Sequence, residues 1–147
     1  MKTATFGTIS HATMRPQDLI PCFLEELASL GGTIISDIPS SAFDGLSDDH
    51  PYWMSESASE YLAELFDALQ EHAPDYSYFG AHCGDGSDYG FWPDEEFLTS
   101  PEDFDVTKTD DYPGDNEHGA YLVVNDHGNA TYGYQDADGW HTVWDIV

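Results

Sequence analysis

Apolar positions recur at helical spacing in two places along the chain. From Gln17 to Leu30, residues Leu19, Phe23, Leu27 and Leu30 fall at i, i+4, i+8 and i+11 on one face, and Gly31-Gly32 supplies a stop. Pro21 fits only a first turn, where a missing N–H costs nothing, which places the helix start near Gln17 or Asp18. The second pattern, from Ser55 to His72, is the clearest in the chain. At about 100° per residue, Ala58, Leu62, Leu65, Leu69 and His72 share an arc of roughly 80°. Ser57 with Glu60 three residues on has the form of a capping box, and Pro74 closes the helix.

Elsewhere the pattern is that of strands and turns. Residues 3 to 9 are short and β-branched and predict an opening strand. Residues 33 to 54 contain apolar Ile34, Ile35 and Ile38 but are punctuated by Pro39, Gly45 and Pro51, and predict no regular element. Tyr76 to His82 and Asp88 to Trp92, aromatic runs around the loop 83–87, predict a hairpin. A meander follows: Ala120 to Asn125, Ala130 to Tyr134 and Trp140 to Val147, joined by turns rich in Asn, Asp and Gly. The sum is an α+β fold in a single domain over 1–147, with two helices packed on an antiparallel sheet of about five strands and a C-terminal three-stranded meander. Pro93 to His118 is expected to be a long surface loop, anchored only by Phe97, Leu98, Phe104, Val106 and Tyr112.

Composition changes this picture at the surface. The chain of 147 residues has a formal charge of −26, with Lys2, Arg15 and Lys108 as its fixed cations against 29 acids. At 40% hydrophobic and 14% aromatic it has the means to build a core, unlike acidic disordered tails. Self-repulsion of this size stresses a fold, so a selective reason outside stability is expected. Direct binding of DNA, RNA or anionic lipid is excluded by sign, because phosphates would be repelled. No stretch approaches the roughly 20 apolar residues of a membrane span, and the first residues lack the apolar core of a secretory signal. The expected location is cytoplasmic.

Much of the charge has a definite place. Glu56, Glu60, Glu64, Asp67 and Glu71 share one arc of the second helix, opposite its apolar stripe. An ordinary exposed face would interleave Lys or Arg at i+4, whereas like charges at that spacing each lose a few tenths of a kcal/mol. The predicted loop adds Asp94, Glu95, Glu96, Glu102, Asp103, Asp105, Asp110, Asp111, Asp115 and Glu117 against one lysine. The helical row offers one charge per ~5.6 Å of axis, sparser than the ~3.4 Å per charge of a DNA strand. An imitation of the phosphate backbone therefore needs both rows, and they are expected to share a face. Arg and Lys clusters that clamp phosphates accept carboxylates in the same bidentate manner.

Other chemistry finds little footing. His11, His50, His72, His82, His118, His127 and His141 show no ligand spacing, and His82-Cys83 are neighbours in sequence rather than a facing pair. Cys22 and Cys83 predict two free thiols. Asp85-Gly-Ser-Asp88 and Asp136-Ala-Asp138-Gly139 resemble calcium-loop fragments but lack the closing glutamate, and hairpin turns explain them. Gly84-Asp85-Gly86 lacks the lysine of a phosphate cradle. Trp53, Trp92, Trp140 and Trp144 are read as core and sheet-face packing. No cofactor, metal or catalytic group is expected.

The acidic character resembles that of the DNA-mimic inhibitors that phages and other mobile elements direct against bacterial defence, the anti-restriction and anti-CRISPR class. The phrases Tyr78 to Trp92 and Val123 to Asn129 also resemble small phage and plasmid proteins. The class is defined by charge, so no residue role carries over. The resemblance implies a non-enzymatic inhibitor that occupies the basic groove of a nucleic-acid-binding protein: a CRISPR surveillance complex, a restriction enzyme or a nuclease. Two other readings share the charge: an immunity protein neutralising a basic nuclease toxin, and an acidic, halophilic-type protein that mimics nothing.

Overall fold

A computed structural model describes residues 2–34 and 37–146, so Ile35 and the strand end at Val147 lie outside the described residues. The protein is α+β, and its chain divides into two compact units, Met1–Ala73 with Ser77–Trp92 and Pro74–Tyr76 with Pro93–Val147. Its described residues form seven strands in two sheets, where the pattern predicted about five in one.

In the first unit, β1 (Gly7–Ser10), α1 (Pro16–Ser29), α2 (Glu56–Gln70), β2 (Ser77–His82) and β3 (Asp85–Pro93) surround an aromatic core. The opening strand is shorter and later than its β-branched run suggested. β3 is central, hydrogen-bonded to β2 on one side and antiparallel to β1 on the other. Gly90 faces Thr8 there, and a side chain at Gly90 would meet the Gly7 carbonyl oxygen at 2.1 Å. Phe23 of α1 sits edge-on to Phe66, Phe79 and Tyr89, with centroids 5.0–5.8 Å apart, and joins both helices to the sheet.

Two helix details correct the sequence reading. α1 starts at Pro16, so Pro21 lies beyond the first turn and removes one internal hydrogen bond. α2 is capped by Ser55, whose Oγ accepts from the Ala58 N–H at 3.2 Å, and not by Ser57. A short 3-10 turn at Pro51–Met54 delivers the chain to that cap, and another at Ser40–Phe43 brings Phe43 against Tyr61 and Trp53. Segment 33–54, assigned no element from sequence, thus contributes two turns and two buried rings.

The second unit contains α3 (Glu95–Thr99), β4 (Thr107–Thr109), β5 (Gly119–Val124), β6 (Ala130–Asp136) and β7 (Gly139–Ile146), in sheet order β4-β5-β6-β7. The predicted meander is β5-β6-β7. β4 adds a parallel edge that no hydrophobic pattern announces, making the sheet mixed. The expected loop 93–118 is instead a helix, a 3-10 turn at Pro101–Phe104 and that strand. Phe97 and Val106 anchor it as expected, whereas Tyr112 is exposed. Phe97 stacks on Tyr76 at 4.2 Å and 5°, and meets Tyr132 and Trp144 edge-on. Trp144 Nε1 donates to the Asp75 carbonyl at 2.7 Å, and Tyr76 accepts from the Asp94 N–H at 2.9 Å, tying 74–76 into this unit.

Candidate functional site

α2 divides lengthwise. Ala58, Tyr61, Leu65 and Leu69 are buried, and His72 beyond its end is 4% exposed, its Nδ1 2.6 Å from the Lys2 carbonyl oxygen. Glu56, Glu60, Asp67 and Glu71 are exposed on the opposite side, with Glu71 serving as C-cap. Four of the five acids that the helical wheel placed in the row are exposed there, and Glu64 is not. The apolar face differs by one residue: Tyr61 takes the buried place assigned to Leu62, which is half-buried.

That rotation explains Glu64. At the edge of the row and one turn beyond Tyr61, it is half-buried, and its Oε2 is shielded from solvent with no hydrogen-bond partner. Burial, with Tyr52 and Glu64 close by, raises the Tyr61 phenol above its ordinary range. Glu64, Asp67 and Glu71, together with Thr33, Ile34 and Ala68, line a depression of about 320 Å³. A wheel marks Glu64 as flanking, but only the choice of Tyr61 for the core shows that it is desolvated.

The second row lies in the other unit. Glu95 and Glu96 occupy the first turn of α3, and Glu102 and Asp103 that of the following 3-10 turn, where carboxylates complement the helix dipole. These four have a local role that the sequence reading did not assign. Asp94, at the N-cap of α3, is partly buried, and burial together with Glu96 pushes its carboxyl above the usual range. Asp105 adopts a left-handed conformation at φ 60°. Asp110, Asp111, Asp115 and Glu117 are exposed, and Glu117 accepts from the Gly114 N–H at 2.7 Å. The expected sharing of one face by the two rows concerns two separate units.

Among the described residues no candidate carboxylate is paired with a cationic side chain. The ion pairs involve Asp18 and Asp48 with Arg15, and Asp88, Asp126 and Asp136 with histidines. Lys2 donates to the Ser29 carbonyl at the end of α1, and Lys108 to the Leu98 carbonyl near the end of α3. Both lysine ammonium groups thus donate to carbonyls at helix ends, and α2 itself carries no lysine or arginine.

The remaining chemical candidates have structural duties. His82 Nδ1 accepts from the Gly84 N–H at 2.9 Å, and its ring stands edge-on to Trp92. Cys22 and Cys83 form no disulfide, and burial raises the Cys22 thiol, which donates to the Ile9 carbonyl. Asp85 accepts from both the N–H and hydroxyl of Ser87, and Asp136 from the Asp138 N–H, as turn residues. Among the described residues no group of three or more His, Cys, Asp or Glu is placed to hold a metal ion, and no helix is long and apolar enough to cross a membrane. Comparison with protein-family models, with curated proteins and with solved structures finds no match for this chain.

Proposed function

We propose that the protein is a non-enzymatic inhibitor that presents carboxylates to the basic groove of a nucleic-acid-binding defence protein, a CRISPR surveillance complex or a restriction enzyme. The observation that supports this reading is the cation-free row on α2, with the Glu64 carboxylate desolvated and unpartnered beside it. A buried charged oxygen without a partner is costly, and an incoming guanidinium would supply the missing donor. In this reading α2 contributes one line of phosphate substitutes, and the acids from Asp94 to Glu117 contribute a second.

The test is capture of partners from a defence-competent bacterial lysate at modest salt, followed by elution with duplex DNA. Recovery of a DNA-binding protein that DNA displaces is the expected result. The E60K/E64K/D67K variant should fold and lose that partner. Capture that DNA cannot reverse, or that the variant retains, would remove α2 from the interface. If no nucleic-acid-binding protein is recovered, the inhibitor reading fails.

A further inference from the structure

Gln135 is an anomaly in the second unit. It lies near the end of β6, between Gly119 of β5 and Trp140 of β7, and only 5% of it is exposed. Buried amides ordinarily bond to protein or water, because desolvating them without a partner costs free energy. The Gln135 side chain has no hydrogen-bond partner among the described residues, yet it is not among the polar atoms sealed from solvent without a hydrogen bond: Tyr52 Oη, Glu64 Oε2 and Asp88 Oδ1. Its amide therefore keeps its residual exposure, and it lines a depression of about 480 Å³ between the chain entering β5 and the β6–β7 turn.

The other groups around that depression define its chemistry. Asp115, Asp136 and Asp138 contribute carboxylates, with Asn116 and His118 completing the wall. Asp136 uses Oδ1 for the Asp138 N–H at 2.8 Å and for His141 Nε2 at 3.0 Å. His141 holds its carboxyl below the usual range, so it stays ionised. An anion would be repelled, and no cluster here has the ligands for a metal ion. What satisfies a recessed amide carbonyl and several carboxylates together is a planar cation with many donors.

We propose that this depression is a guanidinium-binding site, in which the Gln135 amide oxygen and the Asp136 and Asp138 carboxylates receive the N–H groups of the cation. The guanidinium can come from a free small molecule or from an arginine side chain of a protein. It goes beyond the α2 row, and its test needs no partner protein.

The experiment is an NMR titration of the isotopically labelled full chain with agmatine and, separately, with N-acetyl-arginine methylamide. Saturable shifts confined to 115–118 and 135–139 are expected with agmatine. Gln135→Leu should weaken binding about tenfold or more, as loss of a charge-assisted hydrogen bond implies. Asp138→Asn, on an exposed turn whose backbone bond is kept, should weaken it too and covers the case that Gln135→Leu fails to fold. Equal binding of the two probes assigns the site to a protein arginine, and binding of agmatine alone to a small molecule. Shifts spread equally over α2, Asp138→Asn binding as wild type, or calcium chloride displacing agmatine from the same residues would overturn the proposal. Because the protein is tested alone, this failure is separate from a failure to recover a DNA-binding partner.

Discussion

Glu60→Gln separates a functional acidic row from a solvating one. Glu60 has Glu56 and Glu64 one turn to either side, and no cation is paired with any of the three among the described residues. Gln matches Glu in helix propensity, and Glu60 lies beyond the first turn, where a helix dipole would favour its charge. The substitution therefore isolates two like-charge i,i+4 repulsions, each about 0.2–0.5 kcal/mol. Relief of both should stabilise the protein by roughly 0.4–1 kcal/mol, or about 1–4 °C in Tm for a chain of this size. The gain should vanish in about 1 M salt, where the screening length falls to ~3 Å. Thermal denaturation followed by circular dichroism, at low salt and in about 1 M sodium chloride, measures both. The same variant should weaken partner capture, so stability and binding move in opposite directions. If Glu60→Gln lowers the low-salt Tm, or if the wild-type protein unfolds without salt, the row serves solvation and the reasoning is refuted.

Three further outcomes test the structure itself. Gly90→Ala should cost at least the upper end of the ~1–3 kcal/mol typical of overpacking, because its Cβ would meet Gly7 backbone rather than a movable side chain; urea denaturation within about 0.5 kcal/mol of wild type would show β1 is not held against β3. Asp94→Asn should raise Tm at pH 7 and not at pH 3: the folded carboxyl sits above its ordinary 3.8, so the fold binds the extra proton and loses stability as pH rises through that window. Equal effects at both pH values would place the cause elsewhere. Burial, Tyr76 and Asp75 push the Tyr132 phenol up to about 12, so its neutral form belongs to the fold and stability should fall as pH rises from the ordinary 10.0 towards 12. Phenolate absorbance should show a late-titrating tyrosine that Tyr132→Phe removes; an unchanged titration curve would contradict this burial.

The parts of the fold that sequence reveals are those whose signal is local. α1, α2 and the β5-β6-β7 meander follow from periodicity and turn residues, and they occur within a few residues of their expected bounds. The capping box failed because Ser55 and Ser57 both precede the apolar run, and the Pro51–Met54 turn that delivers Ser55 to the cap is a matter of chain path. The split into two sheets was hidden because alternation marks a strand without naming its neighbour: β1 pairs with β3, far along the chain, and never joins the meander. Thr107-Lys108-Thr109 has no apolar alternation at all, so β4 arises from pairing with β5 alone. In the candidate site the exposed row was readable from a wheel, whereas the desolvation of Glu64 depended on Tyr61 entering the core. Gln135 gave no signal, since its environment joins the turn that follows it to residues 115–118 from another part of the chain.

The placement of the three fixed cations is what makes the scarcity informative. Helix C-termini carry unsatisfied carbonyls and partial negative charge, and a basic group there is stabilising. Neither α1 nor α3 has a basic residue in its own last turn, yet each receives a lysine from elsewhere, Lys2 at Ser29 and Lys108 at Leu98. Arg15 is placed at the start of α1, where it pairs with Asp18 through two bonds of 2.8 and 3.0 Å. Cations are thus present where local structure uses them. α2 is the exception: the longest helix of the described chain, it ends with Asp67 in its last turn and Glu71 as C-cap, two acids at the terminus where a lysine would gain most. No basic side chain within α2 offsets them, although the Lys2–Ala4 segment bonds to His72 just past that end. In the proposed reading, a groove that binds phosphates would meet a single lysine in that row as a repulsive contact, and α2 carries none.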